Sequence, residues 1–234
     1  MIRPGRPKKG EESVRRDQLL EHAMQLFAEH GYANLSIETI AREARVSLRT
    51  IYRQFGGKAE LFSAVVRHIS DLFVAALPTD AVPEPQFEET LVEFGKKFLF
   101  QLTRPELIRL RVQLMAEAHR FPELAADWYR EGPERTLNRL ARFFAFHQQA
   151  GRVISADPMF LAGQFVECLR GERFQRLQLG LDKTPAEEEI EPWVCRAVDL
   201  FLRGCLLPEG ADFSGSGPAI PGCQQGLRKI QTGN

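Results

Sequence analysis

The chain has 234 residues, 44% of them hydrophobic, with 31 basic and 31 acidic side chains and therefore no formal net charge. That length and apolar content suffice for a packed core in one large domain or two modest ones. Zero net charge excludes binding to a polyanion by bulk attraction, so any nucleic-acid contact must come from where the charge is placed. Cys168, Cys195, Cys205 and Cys223 are widely spaced, with no CxxC pair and no companion histidine cluster. Neither a metal site nor a disulfide framework is expected, no cofactor is implied, and a reducing cytoplasm is the expected compartment. The N-terminus lacks a signal-like apolar run, and no stretch offers the roughly eighteen apolar residues a membrane span requires.

Met1 to Gly10, MIRPGRPKKG, carries Arg3, Arg6, Lys8 and Lys9 before any acid and has almost nothing to bury. It is expected to be a disordered basic arm, with the arm as a whole taken as residues 1–13. Its Pro4-Gly5-Arg6-Pro7 resembles the AT-hook tripeptide that lays arginine in a narrow minor groove; loose phosphate contacts by a solvated tail are the equal alternative. From about Val14 to His30 the positions Leu20, Ala23, Met24 and Phe27 mark one helical face, with Gly31 as a C′ residue.

Ile37, Ile40, Ala41 and Ala44 then recur at i, i+3, i+4 and i+7 behind the cap residue Ser36, which predicts a short helix. Arg45 and Val46 make a turn, and Ser47 caps a second short helix. At about 100° per residue, Ile51 and Phe55 fall inside, flanked by Leu48 and Tyr52, while Arg49, Thr50, Arg53 and Gln54 share the opposite arc. Two short helices at this spacing form a helix-turn-helix over about 36–57. Arginine can fork onto guanine O6/N7 and glutamine onto the adenine edge, so the outward arc suits base reading in a major groove. The charge is local: Arg42, Arg45, Arg49, Arg53 and Lys58 share their stretch with Glu43 alone.

Ala23, Leu26-Phe27, Gly31-Tyr32, Thr39-Ile40-Ala41, Ala44, Val46-Ser47, Thr50-Ile51-Tyr52, Phe55, Lys58 and Leu61-Phe62 together resemble the DNA-binding domain of TetR-family transcriptional repressors. The resemblance runs from about Arg15 to Ala75. It implies that Tyr52 and Lys58 hold DNA phosphates and that Leu48, Arg49, Thr50, Arg53 and Gln54 face the groove. Thr39 and Ser47, with Arg6, Lys8 and Lys9 of the arm, complete the expected DNA-binding set. Two departures stand out: Leu48 occupies a position where polar side chains are common, and Gly56-Gly57 replaces a more usual polar pair ahead of the next helix.

A longer helix is expected from about Gly57 to Leu77, burying Leu61, Phe62, Val65, Ile69, Leu72, Phe73 and Ala76 and connecting residues 14–77 to the rest. Pro78 to Pro85 breaks it. Beyond, the pattern stays helical near 86–102, 105–119, 122–149 with a possible break at Gly132-Pro133, 158–179 and 186–206, so the fold class is all-α. Thr103 to Glu106 and Thr184 to Glu187 read as capping boxes, and Asp157-Pro158 as a further helix start. Residues 208–234 are expected to be a disordered tail.

Met115 to Arg135 resembles the C-terminal domain of AefR-like regulators, which implies an effector-binding and dimerisation domain over 78–207. In such proteins the middle helices enclose an inducer and the last two pair with a second subunit. Phe94, Phe98 and Trp128 with Arg111, Gln113, Glu117 and His119 are the candidate pocket for an unidentified small-molecule effector, a filled core being the competing reading. Phe165, Leu169, Val194 and Phe201 are the candidate homodimer contact, within an apolar set on the last two helices that one thin domain would not hide. Glu187-Glu188-Glu189 is explained by the helix dipole, and no phosphate loop, HExxH or nucleophile elbow is present, so no catalytic residue is assigned. The resemblance implies a double-stranded DNA operator as partner, and the lack of a long apolar run implies no membrane; a helical protein-interaction module without specific DNA binding is the alternative, with an enzyme last.

Overall fold

Two serines start the short helices of the N-terminal unit. In the computed structural model, Ser36 Oγ accepts from the Thr39 N–H at 3.1 Å and Ser47 Oγ from the Thr50 N–H at 3.0 Å. Each cap satisfies a donor that the helix start leaves free. The structure describes residues 9–78 and 84–206, with side chains over 13–78 and 86–206. Arg6, Lys8, the side chain of Lys9, most of the proline-rich link and the tail with Cys223 lie outside the described residues.

The first helix, α1, spans Lys9–His30, five residues longer at its start than the apolar periodicity indicates. Gly31 takes φ +76° and donates to Phe27 O at 3.0 Å, ending it. Next come α2 (Ile37–Glu43), α3 (Leu48–Gln54) and α4 (Lys58–Val74). Between α2 and α3, Arg45 has φ +53°. Val46 N–H bonds to Ala41 O at 3.0 Å and Arg45 N–H to Arg42 O at 3.1 Å. That paired closure is a Schellman end, with arginine where glycine is usual. Gly56 does the same work after α3: its φ of +106° turns the chain, and the neighbouring Gly57 starts α4 without a side-chain cap. Gly56 thus makes the reversal, while Gly57, with extended backbone at φ 179°, is the N-cap position of α4.

Leu20, Phe27, Ile40, Ile51, Leu61 and Phe62 are all fully buried and hold these four helices together. Leu72 of α4 is 41% exposed, contrary to expectation, and its place in the core is taken by Val66 and Ser70. The reason is rotation of the helix: α4 presents Val66, Ile69 and Phe73 to the second half of the molecule.

That half comprises α5 (Glu84–Leu102), α6 (Pro105–Glu117), α7 (Pro122–Tyr129), a π-helical turn at Arg130–Glu134, α8 (Arg135–Gln149), α9 (Pro158–Gln178) and α10 (Glu187–Cys205). The wide turn accommodates Pro133, which has no N–H to donate inside a helix. Helix α9 is kinked at Gly171, where φ is +54°. Thr103 forms no capping box; its hydroxyl donates back to Leu99 O at 2.7 Å. The α10 box is shifted two residues along, with Glu189 Oε2 accepting from Ala186 N–H at 2.8 Å. Asp157 caps α9 by accepting from Met159 N–H at 3.0 Å.

A ladder of rings runs through this bundle: Phe73 on Phe98, Phe94 on Phe165, and Phe165 on Phe201 with centroids 5.0 Å apart. Phe165, Leu169 and Val194 are fully buried and Phe201 is 7% exposed, all within one chain. They are core, not a surface for a second subunit. Gly95 of α5 explains why: a Cβ there would lie 2.7 Å from Val194 Cγ1 and 3.0 Å from Leu169 Cδ2, so α5 packs directly on the face that sequence left open. A bare helix projection has no means of seeing that close approach. No helix among the described residues is long and apolar enough to cross a membrane.

Candidate nucleic-acid interface and effector cavity

Helix α3 buries Ile51 and packs Leu48 and Phe55 against the core, which turns Arg49, Arg53 and Gln54 to solvent. Neither arginine has an ion-pair or hydrogen-bond partner among the described residues. Tyr52 is 50% exposed beside them. Thr50 and Ser47 share a hydroxyl contact of 2.7 Å, and Thr39 and Ser36 one of 3.0 Å, so these hydroxyls are tied to the helix starts. Arg16 of α1 lies 5.5 Å from the Phe55 ring and steadies the end of α3. The outcome is a short helix anchored on one side with an uncompensated cationic edge on the other, a shape and charge that match a major groove.

Lys58 is more constrained than its neighbours. Its Nζ sits 4.2 Å from the Tyr32 ring centroid. Burial lowers its pKa, and the Glu117 carboxylate of α6 acts in the opposite direction. Lys58 is thus at the seam between the two halves. Gln113 and Glu117 also belong there: a Cβ on Gly31 would meet Gln113 Oε1 at 3.7 Å and Glu117 Oε1 at 3.9 Å. The α1–α6 seam is further held by the Arg104–Glu21 ion pair.

A cavity of about 370 Å³ opens among α4, α5, α6, α7, the π turn, α8 and α9, within the size range of small-molecule sites. Phe98, Arg111 and Trp128 line it. The other four candidates do not. Phe94 is buried in the ring ladder, Gln113 and Glu117 point to the seam on the opposite face of α6 from Arg111, and His119 lies exposed past the helix end. Sequence reasoning missed Ser70, Thr136, Glu167, Arg170 and Phe174, which complete the wall. Ser70 carried a usable signal, being a lone polar residue on the apolar face Val66-Ile69-Phe73. Glu167 and Arg170 carried none, because their helix reads as a subunit contact.

Arg111 stacks 5.1 Å from the Trp128 ring centroid and 6.0 Å from that of Phe174. Burial, reinforced by nearby Arg170 and opposed by Glu167, pushes its pKa down to about 10. Arg170 is paired with Glu167 at 2.6 Å. The cavity's remaining wall is α4 itself, clamped to the π turn by Arg67–Glu131 at 2.8 Å and to α8 by Arg135–Asp71 at 2.7 Å. Gly132 permits that clamp, since a Cβ there would approach Val66 Cγ1 to 3.0 Å.

Residues 19–65 match the family described as bacterial regulatory proteins, tetR family, and residues 89–204 match the AefR-like transcriptional repressor C-terminal domain. The regulator TcmR of Streptomyces glaucescens is 29% identical over 64% of this chain and 67% of its own length. A TetR-family regulator of known structure from Mesorhizobium loti MAFF303099 superposes with a TM-score of 0.67 at 26% identity, covering 83% of this chain and 98% of that one. The flavonoid-responsive regulator FrrA gives 0.62 at 31% identity, again covering 83% and 98%. With an exposed cationic α3 in a capped helix-turn-helix, joined to a helical bundle of the AefR-like kind, the chain belongs to the TetR family of DNA-binding transcriptional regulators.

Proposed function

We propose that the protein is a cytoplasmic, ligand-responsive repressor that binds a palindromic operator as a homodimer. The observation that carries this reading is the double role of α4, which bases the DNA-binding unit and walls the cavity with Val66, Ile69, Ser70 and Phe73. A molecule entering the cavity presses on α4 and tilts it, moving two α3 helices out of register with successive major grooves. A preference of about 3 kcal/mol for the tilted arrangement lowers operator affinity by over a hundredfold. The flavonoid response in FrrA's name supports a small-molecule trigger in this architecture.

One α3 reaches only a few base pairs, so useful specificity requires two half-sites at a spacing the protein imposes. The outward faces of α9 and α10 are the proposed subunit contact. They expose Phe160 (58%) and Leu200 (68%) while their inward faces are spent on the core. On α3, Arg49, Arg53, Thr50 and Gln54 read bases, while Tyr52 and Lys58 hold phosphates, Lys58 by swinging off Tyr32.

The test is recovery of genomic DNA bound by the protein, followed by mass and operator affinity of the Phe160→Glu/Leu200→Glu variant. A monomer with operator affinity reduced at least tenfold is expected. A variant that stays dimeric and binds normally places the contact elsewhere, and absence of any specific DNA complex favours the protein-interaction module.

A further inference from the structure

We infer that the cavity takes an amphipathic organic anion, a single carboxylate on an apolar or aromatic body, with Arg111 as the group that receives the charge. The inference rests on the cavity being the effector site and names the chemistry of what fills it.

Charge bookkeeping in the wall comes first. Its ionic groups are Arg111 on α6 and Glu167 and Arg170 on α9, a net of one positive charge. Glu167 is already engaged by Arg170 at 2.6 Å, which leaves Arg111 unmatched. Its Nε is buried without a hydrogen-bond partner, and burial together with the neighbouring Arg170 lowers its pKa, with Glu167 acting in the opposite direction. The rings of Trp128 and Phe174 face the guanidinium, so its N–H edge remains available for a carboxylate in the forked geometry arginine favours.

A second polar anchor faces the same space. Ser70 of α4 is 1% exposed, and its hydroxyl has no hydrogen-bond partner. Buried polar atoms are ordinarily satisfied, so three orphans in one cavity wall, Ser70 Oγ and the Nε atoms of Arg111 and Arg170, mark positions that a ligand fills. The rest of the lining is apolar, including Ile69, Phe73, Phe98 and Leu107. A polyphosphate would strand its further charges against these side chains. An organic cation would meet Arg111 and find no free carboxylate, and a neutral molecule would leave Arg111 uncompensated.

The experiment is calorimetric titration of the full-length protein with ω-phenylalkanoates of three to eight chain carbons and with the matching primary amides, which keep the shape and lose the charge. The acids are expected to bind at least about tenfold more tightly than their amides. In Arg111→Met that preference is expected to vanish while amide binding persists, and Arg111→Lys is expected to restore part of it. Arg111→Met removes an unmatched buried charge, so its thermal midpoint is expected to stay at or above that of the parent protein, and folding does not confound the result. Equal affinity for acids and amides in the parent protein overturns the inference and leaves the cavity reading standing. Acid preference that survives in Arg111→Met overturns the assignment to Arg111. Binding of neither series removes the cavity reading and the inference with it.

Discussion

Arg49 and Arg53 on α3 and Arg111 on α6 are the same side chain in opposite circumstances. The first two stand in solvent at the edge of a unit built from short capped helices. The third is half-buried between rings inside a bundle built from long helices and phenylalanines. An arginine in water keeps its hydration until DNA arrives, so what it contributes is partner recognition with little effect on stability. A buried, unmatched arginine costs stability continuously and is retained only where something else is gained. The N-terminal unit therefore presents its function on its surface, and the bundle presents it in its interior.

That contrast breaks most visibly at the bundle core. Phe165→Ala is expected to cost about 3–5 kcal/mol of stability in urea denaturation, because Phe165 is fully buried against Phe94, Phe144 and Phe201. A cost below about 1 kcal/mol would place the core elsewhere. The next effect is acid sensitivity. His147 is fully buried between Phe87 and Phe143, its Nε2 has no hydrogen-bond partner, and burial with help from Arg152 pushes its pKa down to about 4. The unfolded chain takes this proton near pH 6.5 and the folded one near 4. Stability is therefore intact above 6.5 and falls by up to about 3 kcal/mol as pH drops through that window. His147→Phe is expected to remove that part of the acid loss in denaturation curves from pH 7 to 4.

On the other side of the comparison, Arg49→Ala and Arg53→Ala are each expected to weaken operator binding by about 1–3 kcal/mol and relax base preference, with the urea midpoint unmoved. A shift in stability without a shift in base preference would turn the comparison around. The smallest effect sharpens it. Arg45 holds φ +53° at the turn between α2 and α3, so Arg45→Gly is expected to raise stability by about 1 kcal/mol. Should the same variant lose operator affinity, Arg45 also contacts DNA.

The N-terminal unit was legible because its signals are local. Ser36, Ser47 and Gly31 act on backbone groups within four residues, and the Ile37-Ile40-Ala41 and Ile51-Phe55 faces follow from helical period alone. The turn at Arg45-Val46 was legible too, but its Schellman closure was not, because arginine gives no sign of a positive φ. In the bundle, helix positions were legible to within a few residues, but the use of their faces was not. Phe165, Leu169, Val194 and Phe201 make as good a subunit contact as a core when each helix is viewed alone.

The sequence by itself determined an all-α chain, a capped helix-turn-helix with a cationic outward arc, and a second helical domain behind it. Periodicity, capping and charge placement are properties of neighbouring residues and need no partner to be read. Tertiary structure alone decided that α5 covers the α9–α10 face through Gly95, that Gln113 and Glu117 meet the first domain rather than the cavity, and that Ser70, Arg111 and Arg170 converge from three helices. Those outcomes depend on how distant helices approach and rotate against one another. Such approach is fixed by packing across the whole core, where a single missing Cβ decides which face is buried.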